Sequence, residues 1–110
     1  MQLNTIALGN VTVLEMRERL DGPNTQVLEE TVQSLIANGT SNLVFDFMEL
    51  DYINSSGLRI LVMAYQRLRS SGGSVAVCCA RDYIQEVFEI SGYDKLFGMY
   101  PTREDAVSAV

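Results

Sequence analysis

Asn54-Ser55-Ser56-Gly57 places two adjacent hydroxyls where an acidic loop gives way to an amphipathic segment. From Leu58 onward, apolar residues recur at 58, 61, 62, 65 and 68, with Arg59, Gln66, Arg67 and Arg69 between them, which is a helical period. Asn and Ser side chains accept hydrogen bonds from the unpaired N–H groups of a first turn, so these four residues read as a helix start. The same free donors, with the positive end of the helix dipole, suit a phosphate. Ser55 therefore has two chemistries open to it, capping or accepting phosphate. Ser56 is the alternative acceptor.

Other reactive groups lead elsewhere. A serine nucleophile needs a base in hydrogen-bond reach and an oxyanion site. The chain has no histidine, and no Ser-x-x-Lys lies near Ser55, so it reads as a non-enzyme. Asp21, Asp46, Glu49 and Asp51 supply the oxygens a hard cation prefers, but no ligand-spacing motif is present and no metal is expected. Cys78 and Cys79 are adjacent in an apolar run. Neighbours in a strand point to opposite faces, which predicts buried reduced thiols rather than a shared metal or redox pair. No phosphate-cradling Gly-x-x-x-x-Gly-Lys-Ser/Thr loop occurs, so no nucleotide or other cofactor is expected.

The elements that must position the serines follow from pattern. The 110 residues suffice for one domain, residues 1–110, with a real core. Two strands are expected over 2–8 and 11–17 around Gly9-Asn10, a helix over 24–37, and a short apolar strand over 43–47. The helix at 55–70 follows, then a buried strand over 74–79 and a helix from Asp82, with Gln85 three residues on as a capping box, ended by Gly92. A short strand over 96–100 and a helix capped by Thr102 and Asp105 complete the order. Alternating strands and helices predict an α/β fold with a mixed, mostly parallel central sheet and helices packed against it. The net charge of −6 and scattered Lys and Arg argue against nucleic-acid binding. Nothing approaches the ~20 apolar residues of a membrane span, and the start, Met1-Gln2-Leu3-Asn4, is unlike a signal peptide. A cytoplasmic location is expected.

This order, with Asn-Ser-Ser-Gly-Leu opening the second helix, resembles the STAS domain, and within it the bacterial anti-sigma factor antagonists. The likeness runs through Leu20-Asp21, the 43–47 strand, Tyr52-Ile53-Asn54-Ser55-Ser56-Gly57-Leu58, Gly72-Gly73 and Val87-Phe88-Glu89-Ile90-Ser91-Gly92. It implies a module that, unphosphorylated, binds an anti-sigma factor with GHKL-type serine kinase activity and so frees the sigma factor. Phosphorylation of Ser55 ends that binding, and a PPM-type serine phosphatase restores it. Asn54 departs from the Asp that many such antagonists carry. The expected contact surface comprises the loop 48–54, with Asp21, Asp51, Tyr52, Ile53 and Asn54, then Ser55, Ser56, Gly57, Arg59, Ile60 and Met63. Ile60 and Met63 lie off the 58/61/65/68 stripe and are read as interface rather than core. The alternative is an accessory STAS subunit of a membrane lipid-transport ATPase, with the serine unmodified.

Overall fold

Five strands in chain order, β1 to β5, make one sheet in the same spatial order. The structure, a computed structural model, describes residues 3–110; Gln2, expected to open the first strand, lies outside them. β1 (Leu3–Leu8) and β2 (Val11–Leu20) are antiparallel, paired from Leu3↔Met16 to Leu8↔Val11. Gly9, at φ 64°, supplies the left-handed conformation that a two-residue hairpin turn requires. β3 (Asn42–Ile53), β4 (Ser74–Cys78) and β5 (Gly98–Tyr100) then add in parallel. The sheet is mixed and mostly parallel, as the pattern predicts.

Three helices cover one face: α1 (Gly22–Ala37), α2 (Ser55–Ser70) and α3 (Asp82–Ser91). Beneath them Leu14, Met16, Phe45, Phe47, Val75 and Val77 meet Leu28, Val32, Leu61 and Phe88 in the main core. Phe88 sits between Phe47 and Phe97, with ring centroids 5.9 and 5.7 Å away. The short helix α4 (Arg103–Ala109) covers part of the opposite face, over Val11, Val13, Val44, Ala76 and Cys78. Both faces of β4 are therefore covered, which its unbroken apolar sequence requires. Among the described residues no helix is long and apolar enough to cross a membrane.

Several elements differ from expectation for identifiable reasons. β3 continues past 47 to Ile53, so most of the expected acidic loop is strand. Its register against β2 slips twice: Glu15↔Asp46 is followed by Arg17↔Glu49, and Glu18↔Leu50 by Arg19↔Tyr52. Each slip inserts an extra residue on β3, and the β3 residues that enter the main core fall at 43, 45, 47, 50 and 53. The spacing of two becomes three, which hides the strand. α1 starts at Gly22 rather than 24, with Pro23 in its first turn, where a missing N–H is harmless. β5 is confined to Gly98–Tyr100 because a 3-10 helix, Tyr93–Lys95, precedes it. α3 lacks its capping box: Arg81 is the N-cap, and Gln85 bonds Glu89 instead.

α2 turns a different stripe inward. Its buried residues are Gly57, Ile60, Leu61, Ala64 and Leu68, while Leu58, Val62, Met63 and Tyr65 are half-buried flanks of the same core. The sequence reading favoured the larger side chains at 58, 62 and 65 over Gly57 and Ala64. Ile60 is thus corrected from interface to core, at 6% exposure.

Candidate functional site

The start of α2 is pinned to the end of β2. Asn54 N–H donates to the Leu20 carbonyl at 3.2 Å, and Asn54 Oδ1 accepts from Gly57 N–H at 3.0 Å. Asn54, in extended conformation, is therefore the cap. Gly57 is required by close approach: a Cβ there would lie 2.7 Å from Leu20 Cγ and 3.0 Å from the Leu20 carbonyl oxygen.

With Asn54 capping, Ser55 becomes the first helical residue. It is exposed, and among the described residues its hydroxyl has no hydrogen-bond partner, nor do the N–H groups of Ser55 and Ser56. Ser56 is half-buried. Arg59, one turn on, is exposed and has no ion pair among the described residues.

Around this corner other charges are already paired. Arg19 Nε lies 3.0 Å from Asp21 Oδ2, and its guanidinium stacks 4.2 Å above the Tyr52 ring. Asp51, exposed on β3, pairs with Arg81 at 2.6 Å, and Arg81 also reaches the Met48 carbonyl. Met48 is 59% exposed. Of the expected contact residues, Asp21, Asp51, Tyr52, Asn54, Ser55, Ser56 and Arg59 are exposed or half-buried at this corner. Ile53, Gly57 and Ile60 are buried and support it from beneath; Met63 is half-buried against the core. Sequence reasoning missed Arg19 and Arg81. Arg81 follows β4 and Asp51 lies near the end of β3, and parallel neighbours bring their carboxyl ends together.

The opposite face carries a second cluster, also missed. Asp46, buried on β3, accepts from Arg103 Nε at 2.9 Å and Nη2 at 2.7 Å, and its other oxygen accepts from Met48 N–H at 2.9 Å. Arg103 also pairs with Glu15, which accepts from Asn4 Nδ2 at 2.9 Å. The Asn4 hydrogen bond, with Arg103, holds the Glu15 carboxyl below its ordinary range. Glu15, Asp46 and Arg103 line a cleft of about 370 Å³ with Met48, Glu49 and Cys79.

Cys78 and Cys79 do not diverge as expected. The strand ends at Cys78, Cys79 adopts φ 62°, and both sulfurs lie with an Asp46 oxygen inside 4.8 Å. The donor set fits a metal poorly. Burial first, and then the Asp46 charge, push the Cys78 thiol well up; burial also raises Cys79. A metal needs thiolates, and both Asp46 oxygens are already engaged. Nor do Asp21, Glu49 and Asp51 form a ligand group among the described residues.

Comparison with known proteins places this geometry. The STAS domain profile matches residues 2–106. BtrV of Bordetella bronchiseptica, named provisionally as an anti-sigma factor antagonist, is 29% identical over 109 residues, 99% of this chain and 94% of that protein. The anti-sigma-F factor antagonist RsfB of Mycobacterium tuberculosis is 26% identical over 91% of this chain and 81% of its own. The crystal structure of an anti-sigma factor antagonist from Mycobacterium paratuberculosis superposes with a TM-score of 0.90 at 27% identity, covering 99% of this chain and 92% of that one. With this sheet order, this helix start and a match over nearly its whole length, the chain belongs to the STAS domain family.

Proposed function

We propose that this protein is an anti-sigma factor antagonist whose partner binding is switched off by phosphorylation of Ser55. One observation carries the reading: Asn54 does the capping, leaving the Ser55 hydroxyl exposed and without a partner among the described residues. The names of its relatives support antagonism as the output. The partner is an anti-sigma factor with GHKL-type serine kinase activity. It transfers the γ-phosphoryl group of ATP to Ser55 Oγ, with loss of the hydroxyl proton and release of ADP. A PPM-type phosphatase hydrolyses the ester and resets the domain, which itself acts as a binding module rather than an enzyme.

The contact surface is the corner of Asp21, Asp51, Tyr52, Asn54, Ser55, Ser56 and Arg59, with Met48 at its edge. Phosphate adds about −1.5 to −2 charges there. Desolvating that charge beside Asp21 and Asp51 weakens binding by about 1–3 kcal/mol, or ~5–150-fold, without refolding.

The test incubates wild type, Ser55→Ala, Ser56→Ala and Ser55→Asp with the cognate kinase and ATP, maps phosphate by mass spectrometry and measures affinity. Phosphate on Ser55 is expected, with Ser55→Ala binding but resisting inactivation and Ser55→Asp binding weakly. Phosphate on Ser56 instead would move the switch by one residue. No phosphate on either serine, with binding insensitive to Ser55→Asp, would overturn the reading in favour of a transporter-accessory role.

A further inference from the structure

Resting on the reading of Ser55 as a phosphate acceptor, we propose that the phosphoserine is captured within the chain by Arg59. The two residues stand at i and i+4 on α2, where side chains are neighbours with Cβ atoms about 5–6 Å apart. The order is also favourable, since an anion N-terminal to a cation complements the helix dipole. Both side chains are exposed, so neither must leave the core to meet the other.

Arg59 is unpaired and one turn from Ser55; of the other arginines without an ion pair among the described residues, Arg67 lies about two turns further along α2 and Arg17 lines the cleft of the Arg103 cluster. Arg19 and Arg81 are held by Asp21 and Asp51, Arg103 by Glu15 and Asp46, and Arg69 lies near the Tyr65 ring. In a protein of net charge −6, α2 contains Arg59, Arg67 and Arg69 and no acidic residue. Three and four positions from Arg59 lie Ser55, Ser56, Val62 and Met63, none an anion in the unmodified chain. The carboxylates of this corner, Asp21 and Asp51, already have arginine partners. A guanidinium fork matches two phosphate oxygens, and the unused N–H groups of Ser55 and Ser56 face the same turn.

The switch then changes the surface twice. Unmodified, Arg59 offers a free cation at the contact corner, suited to a partner carboxylate. Once Ser55 is modified, the phosphate adds negative charge and withdraws that cation.

The test uses the domain with phosphoserine installed at position 55 during synthesis, so that it does not depend on any kinase. Arginine Nε–Hε resonances are recorded with and without the phosphate, Arg59 being assigned by its loss in Arg59→Gln. The Arg59 signal should shift on modification and return after phosphatase treatment. The modified wild type should also gain about 1–3 °C in Tm over the modified Arg59→Gln, relative to their unmodified forms. Arg59→Lys should keep part of that gain, and 0.5 M NaCl should reduce it. An unmoved Arg59 resonance, with the same melting change in wild type and Arg59→Gln, overturns the capture. A kinase that modifies Ser55 while Arg59 stays unmoved defeats this inference alone. Capture with the installed phosphate, but no kinase modification of Ser55, defeats the reading it rests on.

Discussion

Two corners of this molecule pair arginines with carboxylates, but only one of them leaves polar groups over. On the α4 face, Asp46, Glu15 and Arg103 bind one another, and the remaining Asp46 oxygen and Glu15 oxygen are taken by Met48 N–H and Asn4. At the start of α2, an exposed hydroxyl, two N–H groups and one guanidinium have no partner among the described residues. Satisfied polar groups specify a structure; unsatisfied exposed ones are free to meet something else. The first corner is architecture, and the second is where a modification or a partner acts.

The contrast is broken most severely from the architectural side. Arg103→Met strands the Asp46 carboxylate, only 3% exposed, without its countercharge. Denaturant unfolding should show a loss of about 3 kcal/mol, at the low end for a broken buried pair because Arg103 itself is 29% exposed. A loss below ~1 kcal/mol would show that the cluster does not hold α4 down. Gly57→Val comes next. Its side chain must displace Leu20 and press on a backbone oxygen, so thermal melts should report about 2–3 kcal/mol. Asn54→Ala follows at about 1 kcal/mol, the worth of an ordinary cap.

Acid supplies a milder test. Glu15 titrates below its usual value in the fold, so its contribution is complete above the unfolded pKa of about 4.5 and is lost as pH falls through the lowered folded value. Glu15→Gln should therefore flatten the decline in stability below that pH relative to wild type. The smallest effect is expected at Ser55→Ala, within about 0.5 kcal/mol, because the serine neither caps nor packs. A loss like that of Asn54→Ala would make Ser55 structural and erase the contrast.

Much of the fold was legible because local and global signals agree. The apolar run at 43–47 reads as a buried strand and is one, and Thr102 caps α4 as expected, accepting from Asp105 N–H at 3.2 Å. Legibility failed where small residues or bulges carry the information. Gly57 and Ala64 mark the inward face of α2 by what they lack, and the bulged half of β3 has no period of two. The serines and their cap were visible as types and spacing. Their division of labour was not, because it depends on Leu20 meeting the first turn. The arginine partners were invisible for the same reason: Arg81 lies 30 residues from Asp51 in the chain.

The order in which the chain is made gives the Arg103 cluster a further meaning. Each strand of this sheet pairs with the one synthesised just before it, so the sheet extends from one edge as residues emerge. Arg103 comes 57 residues after Asp46 and 88 after Glu15. Until α4 docks, the face carrying Val11, Val13, Val44, Ala76 and Cys78 lacks its cover, and Asp46 stands on it without its arginine. The ion pairs thus form last: a chain stopped short of Arg103 has every strand but lacks both the apolar cover and the salt bridges that α4 brings to this face.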